Sequence, residues 1–224
     1  MKNRISFIFF SSILLFASCG KSAEHLLLEA EKYDELGQYE KGIEILNEAI
    51  RIKPDYLGAY INRGAYKSSL EKYDQAISDY QKVLELDPKN TLATYNIGNS
   101  YRQAGNLNKA KEYYDLAFQT KGGELITIDY EPNSIIEKSF YDVPSAEIYY
   151  NRGLVHYDLY DYEKAYSDFM NSLKSNYEPA DNNYMIGACL FMSGNTELAC
   201  EHYKKAIELG DELAKSEFEK HCGK

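Results

Sequence analysis

A chain of 224 residues, 44% hydrophobic and 14% aromatic, is long and apolar enough to bury a core, which excludes an intrinsically disordered polymer. Its formal charge of −10 would repel a phosphate backbone, so we expect no nucleic acid among its partners. Length and composition together predict one folded domain.

The first segment reads as a targeting signal. Lys2 and Arg4 form a basic head, and a largely apolar run of twelve residues follows at 5–16. This run is too short to span a membrane as a mature helix, so residues 1–18 are predicted to be a cleaved signal peptide. Removal of this signal would take away two positive charges and no negative charge, so the formal net charge would change from −10 to −12.

The end of this segment, LLFASC, resembles the signal of a bacterial lipoprotein, with Ala17 and Ser18 just before Cys19. The resemblance implies that Cys19 is lipidated and becomes the mature N-terminus, with residues 19–22 as anchor and tether. In that family an Asp after the Cys retains the protein in the inner membrane, and Gly20 here implies the outer membrane of a bacterial cell envelope. The alternative is an ordinary cleaved signal with a free Cys19.

Beyond the signal, three sets of residues recur at intervals of 34, 34, 55 and 34, where 55 is 34 plus an insertion of 21. The small residues of the first set are Ala30, Gly64, Gly98, Gly153 and Gly187. The second set is Gly42, Ala76, Ala110, Ala165 and Ala199, and the bulky third set is Leu46, Tyr80, Tyr114, Phe169 and Tyr203. Three sets in register indicate an internal repeat.

Each repeat is predicted to be a helical hairpin, because apolar residues recur at three- and four-residue spacing around a turn signal such as Gly37, Gly105 or Gly194. The small residues would let paired helices approach closely, while the bulky residues fill the space beside them. One hairpin buries too little surface alone, so stacking is expected to supply the stability.

The repeats resemble tetratricopeptide repeats in their period, in the alanine set, in Tyr33 and Tyr101, and in the closing Pro54 and Pro88. The resemblance implies an all-α fold, a right-handed solenoid of five helix-turn-helix repeats that binds other proteins. The repeats fall into two blocks, residues 23–124 and 146–213. The five units are 23–56, 57–90, 91–124, 146–179 and 180–213.

Two segments lie outside the repeats. Residues 125–145 form an insertion, predicted to be a short extended stretch followed by an irregular loop, which either binds a partner or packs its apolar residues onto the flank of the neighbouring repeats. Residues 214–224 are predicted to be a capping helix, with Leu213 and Phe218 facing inward over the last hairpin.

Signs of enzymatic chemistry are missing from the sequence. The four histidines are scattered, and neither an HExxH pair, nor a nucleophile elbow, nor a Gly-rich phosphate loop after a strand is present. We therefore predict no catalytic residue, no metal site and no cofactor.

Binding is better supported, because the first helix of each hairpin should line the concave side of the solenoid. Asn62, Asn96 and Asn151 share the sixth place of their units, where an amide column could hold the backbone of an extended peptide. The fifth place of the units, just before the place of the asparagines, holds Tyr95, Tyr150 and Tyr184, which would add contact surface. The alternative is that the asparagines are only solvated or cap neighbouring turns.

The cysteines other than Cys19 are Cys189, Cys200 and Cys222, an odd number. An antiparallel arrangement around Gly210 would bring Cys200 near Cys222, so a disulfide between them is possible in an oxidising compartment. Buried free thiols are the competing interpretation.

The sequence as a whole predicts a lipid-anchored envelope scaffold that binds proteins or extended peptides through its concave groove, with the insertion as a further contact. Two alternatives stay open. One is an obligate subunit of an outer-membrane complex, and the other is a glycan-binding protein or an enzyme with a pocket at the insertion.

Overall fold

The computed structural model describes residues 21–120 and 142–223. In these two ranges the chain forms eleven α-helices and no strand. They are α1 Ala23–Asp34, α2 Tyr39–Ile52, α3 Leu57–Ser69, α4 Tyr73–Leu86, α5 Thr91–Gln103, α6 Leu107–Gln119, α7 Ser145–Asp158, α8 Tyr162–Leu173, α9 Pro179–Met192, α10 Thr196–Glu208 and α11 Glu212–His221.

The first ten helices pair into five hairpins, numbered 1 to 5 in chain order, and the second helix of each hairpin packs on the first helix of the next. Hairpins 3 and 4 also stack directly, because α6 contacts α7 and Val143 is buried between them and their neighbours. The all-α repeat solenoid is thereby confirmed. The predicted insertion lies outside the described residues up to position 141.

Small residues pack against bulky ones inside each hairpin. A Cβ built on Gly64 would lie 2.7 Å from the ring of Tyr80, and one on Gly187 would lie 2.7 Å from the ring of Tyr203. Real Cβ atoms do not approach that closely, so the helices meet at this distance only because glycine stands there. The third set of the repeat therefore fills the space that the first set leaves.

The turns inside the hairpins need a left-handed residue. Gly37, Gly105 and Gly194 supply it with φ of 63°, 78° and 84°. In hairpins 2 and 4 the same conformation is adopted by Glu71 at 58° and Tyr160 at 63°, which costs backbone free energy that glycine does not.

Helix α11 covers the open end of hairpin 5 by packing on α10. Its buried contact is Ala214, and Phe218 packs beside it four residues later. Leu213 is 68% exposed, so the prediction that it faces inward is wrong. Residues four apart share a helix face, which places Phe218 with Ala214 and turns Leu213, five residues before Phe218, towards solvent.

Candidate functional site

The first helices of the hairpins form the inner wall of the solenoid. In the described chain α1 contacts α3, α3 contacts α5 and α5 contacts α7. Elements on the inner side of a curved stack lie closest together, so these contacts identify the concave side. Side chains bridge neighbouring first helices here, as where the Ser68 hydroxyl donates to Gln103 at 3.1 Å. We call the exposed faces of α1, α3, α5, α7 and α9 the inner wall.

The three predicted asparagines differ in their surroundings. Asn62 on α3 and Asn96 on α5 are partly exposed. Asn151 on α7 donates from Nδ2 to the Tyr95 hydroxyl at 2.8 Å and to the Glu147 carbonyl at 3.0 Å. The amide of Asn151 therefore ties hairpin 4 to hairpin 3, and the peptide-binding role of the column stays a prediction.

Tyr95 contributes to packing, since only 5% of it is exposed. Its ring lies 5.7 Å from the ring of Tyr114, and its hydroxyl donates to the Glu147 carboxylate at 2.9 Å. Burial, together with the Glu147 charge, raises the pKa of Tyr95, so the phenol stays protonated and keeps donating. This side chain supports the wall at the junction of hairpins 3 and 4 and offers a partner little surface.

Tyr150 of α7 lies at the junction with α9. It is half-buried, its ring lies 5.8 Å from that of Tyr177, and its hydroxyl donates to the Asp181 carboxylate of α9 at 3.3 Å. Burial, and then the charges of Asp181 and Glu178, raise the pKa of Tyr150 to about 12. Two aromatic rings and two carboxylates thus meet where hairpin 4 joins hairpin 5.

Tyr184, the third predicted tyrosine, lies further along on α9. It is partly buried, and its ring lies 6.0 Å from that of Tyr203 in the core of hairpin 5. Burial raises the pKa of Tyr184, with smaller contributions from Glu217 and Asp211. Tyr184 therefore packs against the core of hairpin 5, and its role in binding stays a prediction.

An ion-pair cluster in hairpin 2 was missed by sequence reasoning. Arg63 donates from Nε to Asp79 at 2.9 Å and from an Nη to Asn47 of hairpin 1 at 2.7 Å. Lys67 donates to the same Asp79 at 2.8 Å. Because the Asp79 side chain is only 5% exposed, the charge is buried and is compensated by two cations.

Hairpin 4 repeats the pairing of an Arg with a buried Asp. Arg152 donates two hydrogen bonds of 2.8 Å to Asp168 and one of 2.7 Å to Asp115 of hairpin 3. Burial opposes the charge of Arg152, but the hydrogen bonds and charges of Asp168 and Asp115 outweigh it and raise the pKa of the guanidinium. An Arg and an Asp sixteen residues apart in both copies were the signal in the sequence.

The cysteines differ in state. Cys200 of α10 and Cys222, the residue directly after α11, form a disulfide with their Cα atoms 5.7 Å apart. Cys189 is a free thiol inside hairpin 5, and burial raises its pKa to about 12, so it stays protonated and unreactive at neutral pH. Cys19, the predicted lipidation site, lies outside the described residues.

Two further findings concern residues 21–120 and 142–223 alone. No helix in these ranges is long and apolar enough to cross a membrane. The same part of the chain holds no cluster of three or more His, Cys, Asp or Glu side chains that could bind a metal ion.

Comparison with known families decides the identity of the repeats. Sequence families described as tetratricopeptide repeat match residues 27–56, 58–90, 79–112, 146–179 and 180–209. This chain belongs to the tetratricopeptide repeat family. Tetratricopeptide repeats mediate protein–protein interactions, and the inner wall described above is formed by the first helices of these repeats.

Curated relatives share the repeat but are longer. The chain is 24% identical over 198 residues to a tetratricopeptide repeat-containing protein of Methanocaldococcus jannaschii, covering 79% of this chain and 35% of that protein. It is 25% identical over 191 residues to the peroxisomal targeting signal receptor of Saccharomyces cerevisiae, covering 76% and 31%. The chain spans about a third of the length of these curated relatives.

Among solved structures, MamA residues 41 to the end from Desulfovibrio magneticus RS-1 superimposes with a TM-score of 0.67. The match covers 85% of this chain and 96% of that one at 19% identity. At this identity the likeness establishes the tetratricopeptide solenoid and nothing about the bound partner.

Proposed function

We propose that this tetratricopeptide repeat protein is a lipid-anchored scaffold of a bacterial cell envelope that binds a partner protein, or an extended peptide segment of one, along its inner wall. The observation that carries the proposal is the inner wall itself. It presents partly exposed Asn62 and Asn96 on α3 and α5, followed by the aromatic and acidic side chains of α7 and α9.

The amides suit an extended peptide. Each can donate to a carbonyl and accept from an N–H of a partner backbone, whatever the partner's side chains are. Neither Asn62 nor Asn96 has its side chain in a hydrogen bond to another described residue, in contrast to Asn151. These two positions are therefore the ones to test.

The membrane anchor is a separate part of the proposal and rests on the signal-like residues 1–18 and on Cys19. Two or more acyl chains on Cys19 would hold the protein at the membrane, since each buried methylene contributes about 0.8 kcal/mol. Replacement of Cys19 by Ser should release the protein from washed membranes. Retention of the Cys19→Ser protein in the membrane fraction after a high-salt wash would contradict the anchor.

Site-specific photocrosslinking in intact cells tests the binding function. A benzoylphenylalanine is placed at Asn62 or Asn96 on the inner wall, and, as matched controls, at the exposed Glu44 of α2 or Glu112 of α6 on second helices. The inner positions should crosslink to a partner that the control positions do not reach. Crosslinking from the second helices alone would place the interface elsewhere and overturn the groove.

A further inference from the structure

In hairpin 1, one lysine side chain of the protein itself is held by a carboxylate of the first helix and by a tyrosine ring. Glu24, the second residue of its unit, pairs with the Lys53 ammonium at 3.0 Å, and the same ammonium lies 4.8 Å from the ring centre of Tyr56. A carboxylate and a tyrosine ring thus hold one lysine side chain, the former by charge and the latter by a cation–π contact.

Hairpins 4 and 5 have a carboxylate at the same place but no lysine beside it. Glu147 and Asp181 are the second residues of their units, the place of Glu24. The Tyr150 hydroxyl donates to Asp181, and the ring of Tyr150 lies 5.8 Å from that of Tyr177. Asn176 stands where the unit of hairpin 1 has Lys53.

The hydrogen-bond partners of these two carboxylates are phenols rather than cations. Glu147 accepts from Tyr95 and Asp181 accepts from Tyr150. Across residues 21–120 and 142–223, neither carboxylate forms an ion pair with a lysine, arginine or histidine. By contrast, Asp79, Asp115 and Asp168 are all paired with cations.

Helix-dipole stabilisation does not by itself account for these acids. A carboxylate in the first turn of a helix is favourable, but the first turns of α3 and α5 contain none and those helices form equally well. Acids at this place are therefore not required by the fold.

Acidic side chains of hairpins 4 and 5 lie around Tyr177. Burial raises the pKa of Tyr177, and the next contributions come from Glu147, Glu178 and Asp181, in that order. Carboxylates of α7 and of the α9 N-terminus therefore all act on the Tyr177 phenol and favour its protonated form. A cation brought to this place by a partner would be attracted by three charges and by two aromatic faces.

We propose that Glu147 and Asp181, with the rings of Tyr150 and Tyr177, form a subsite for a lysine or arginine side chain of the bound segment, so that the partner of the inner wall is a basic peptide. This proposal rests on the proposed function and adds the chemistry of the partner to it. The chain itself shows the mode of binding, in the contacts of Lys53 with Glu24 and Tyr56.

The test is fluorescence anisotropy of a short labelled peptide of alternating lysine and serine with the purified full-length chain in non-ionic detergent at physiological ionic strength. A peptide of alternating glutamate and serine is the comparison. We expect binding of the lysine peptide and, in the double variant Glu147→Gln and Asp181→Asn, a loss of at least about tenfold in affinity, because both negative charges that attract the lysine side chain are removed. A tenfold loss corresponds to about 1.4 kcal/mol. Both substitutions keep an oxygen to accept from Tyr95 and Tyr150.

The matched control removes two equivalent charges from second helices. Glu112→Gln and Glu201→Gln are isosteric changes at exposed positions of α6 and α10. This variant should bind the lysine peptide within about twofold of the unchanged chain, because distant surface charges are screened. Tyr177→Leu, which changes no charge, should weaken binding as well, because it removes a cation–π face.

An equal loss of affinity for the lysine peptide in the control variant would show that net charge alone attracts the peptide, and it would overturn the proposed subsite. So would failure of the unchanged chain to prefer the lysine peptide over the glutamate peptide. If that failure occurs while the inner-wall crosslinks at Asn62 and Asn96 are still formed, the groove function stands and only the basic partner is wrong. If the crosslinks are absent too, both proposals fall.

Discussion

Hairpins 2 and 4 are built on one packing scheme but present different inner walls. Gly64 meets Tyr80 in hairpin 2 as Gly153 meets Phe169 in hairpin 4, with Cβ distances of 2.7 and 2.9 Å. At the fifth place of the units, however, hairpin 2 has the buried Ile61 whereas hairpin 4 has the half-buried Tyr150. The repeat therefore specifies helix packing, and the residues facing the groove vary independently of it.

The buried ion pairs show a second difference between the two hairpins. Asp79 accepts from both Arg63 and Lys67, whereas the hydrogen bonds to Asp168 come from Arg152. A buried carboxylate that loses its cation keeps the cost of desolvation without the compensating attraction. The two hairpins should therefore respond unequally to the same substitution.

The largest expected effect is that of Arg152→Met. It leaves Asp168 without its guanidinium, so the free energy of unfolding should fall by about 3 to 5 kcal/mol. Arg63→Met should cost clearly less, because Lys67 still pairs with Asp79. Urea unfolding followed by circular dichroism measures both, and equal losses would show that the two clusters are not distinguished by their second cation.

The disulfide should come next in size and should act at one end of the stack. Cys200 and Cys222 are separated by 22 residues, so loss of the cross-link in the Cys200→Ser, Cys222→Ser double variant should cost about 3 kcal/mol. Hydrogen exchange should increase in α10 and α11 and stay unchanged in hairpin 2. Faster exchange in hairpin 2 would mean that the stack unfolds as one unit.

Overpacking should affect hairpins 2 and 4 alike. Gly64→Leu and Gly153→Leu each place a side chain where an aromatic ring stands, at a cost of roughly 1 to 3 kcal/mol or more. Ser167→Leu on the exposed side of α8 is the control and should leave the melting temperature nearly unchanged. Equal melting temperatures for the three variants would contradict the packing scheme.

The smallest effect is expected for Tyr150→Phe. Only the hydrogen bond to Asp181 is lost, at the surface-exposed end of the side chain, so stability should fall by about 0.5 to 1.5 kcal/mol at most. Thermal unfolding measures the change. A larger loss would mean that Tyr150 supports the junction of hairpins 4 and 5 as Tyr95 supports the one before it.

The fold followed from the sequence because one interval of 34 residues placed small and bulky residues in register, and packing depends directly on their sizes. The inner wall could be predicted from the sequence only in part. Sixth-place residues share a face, but whether an amide such as that of Asn151 stays open depends on Tyr95 and Glu147, which come from two different hairpins.

Contacts between hairpins were the part that sequence reasoning missed. The Arg152 cluster joins residues 16 and 37 positions apart, and the spacing to Asp115 crosses the interruption of the repeat. Leu213 was misplaced for a local reason, because Ala214 rather than Leu213 shares a helix face with Phe218.

The central claim is that hairpins 2 and 4, although alike in packing, differ in what their inner walls bind. A nuclear magnetic resonance titration tests this claim most directly. Backbone amide shifts of the isotope-labelled full-length chain are followed as the lysine–serine peptide is added. The largest changes should fall in the first turns of α7 and α9, around Glu147 and Asp181, with smaller changes in α3, where Asn62 would contact only the peptide backbone. Changes centred on α3, or on the second helices α4 and α8, would contradict the claim.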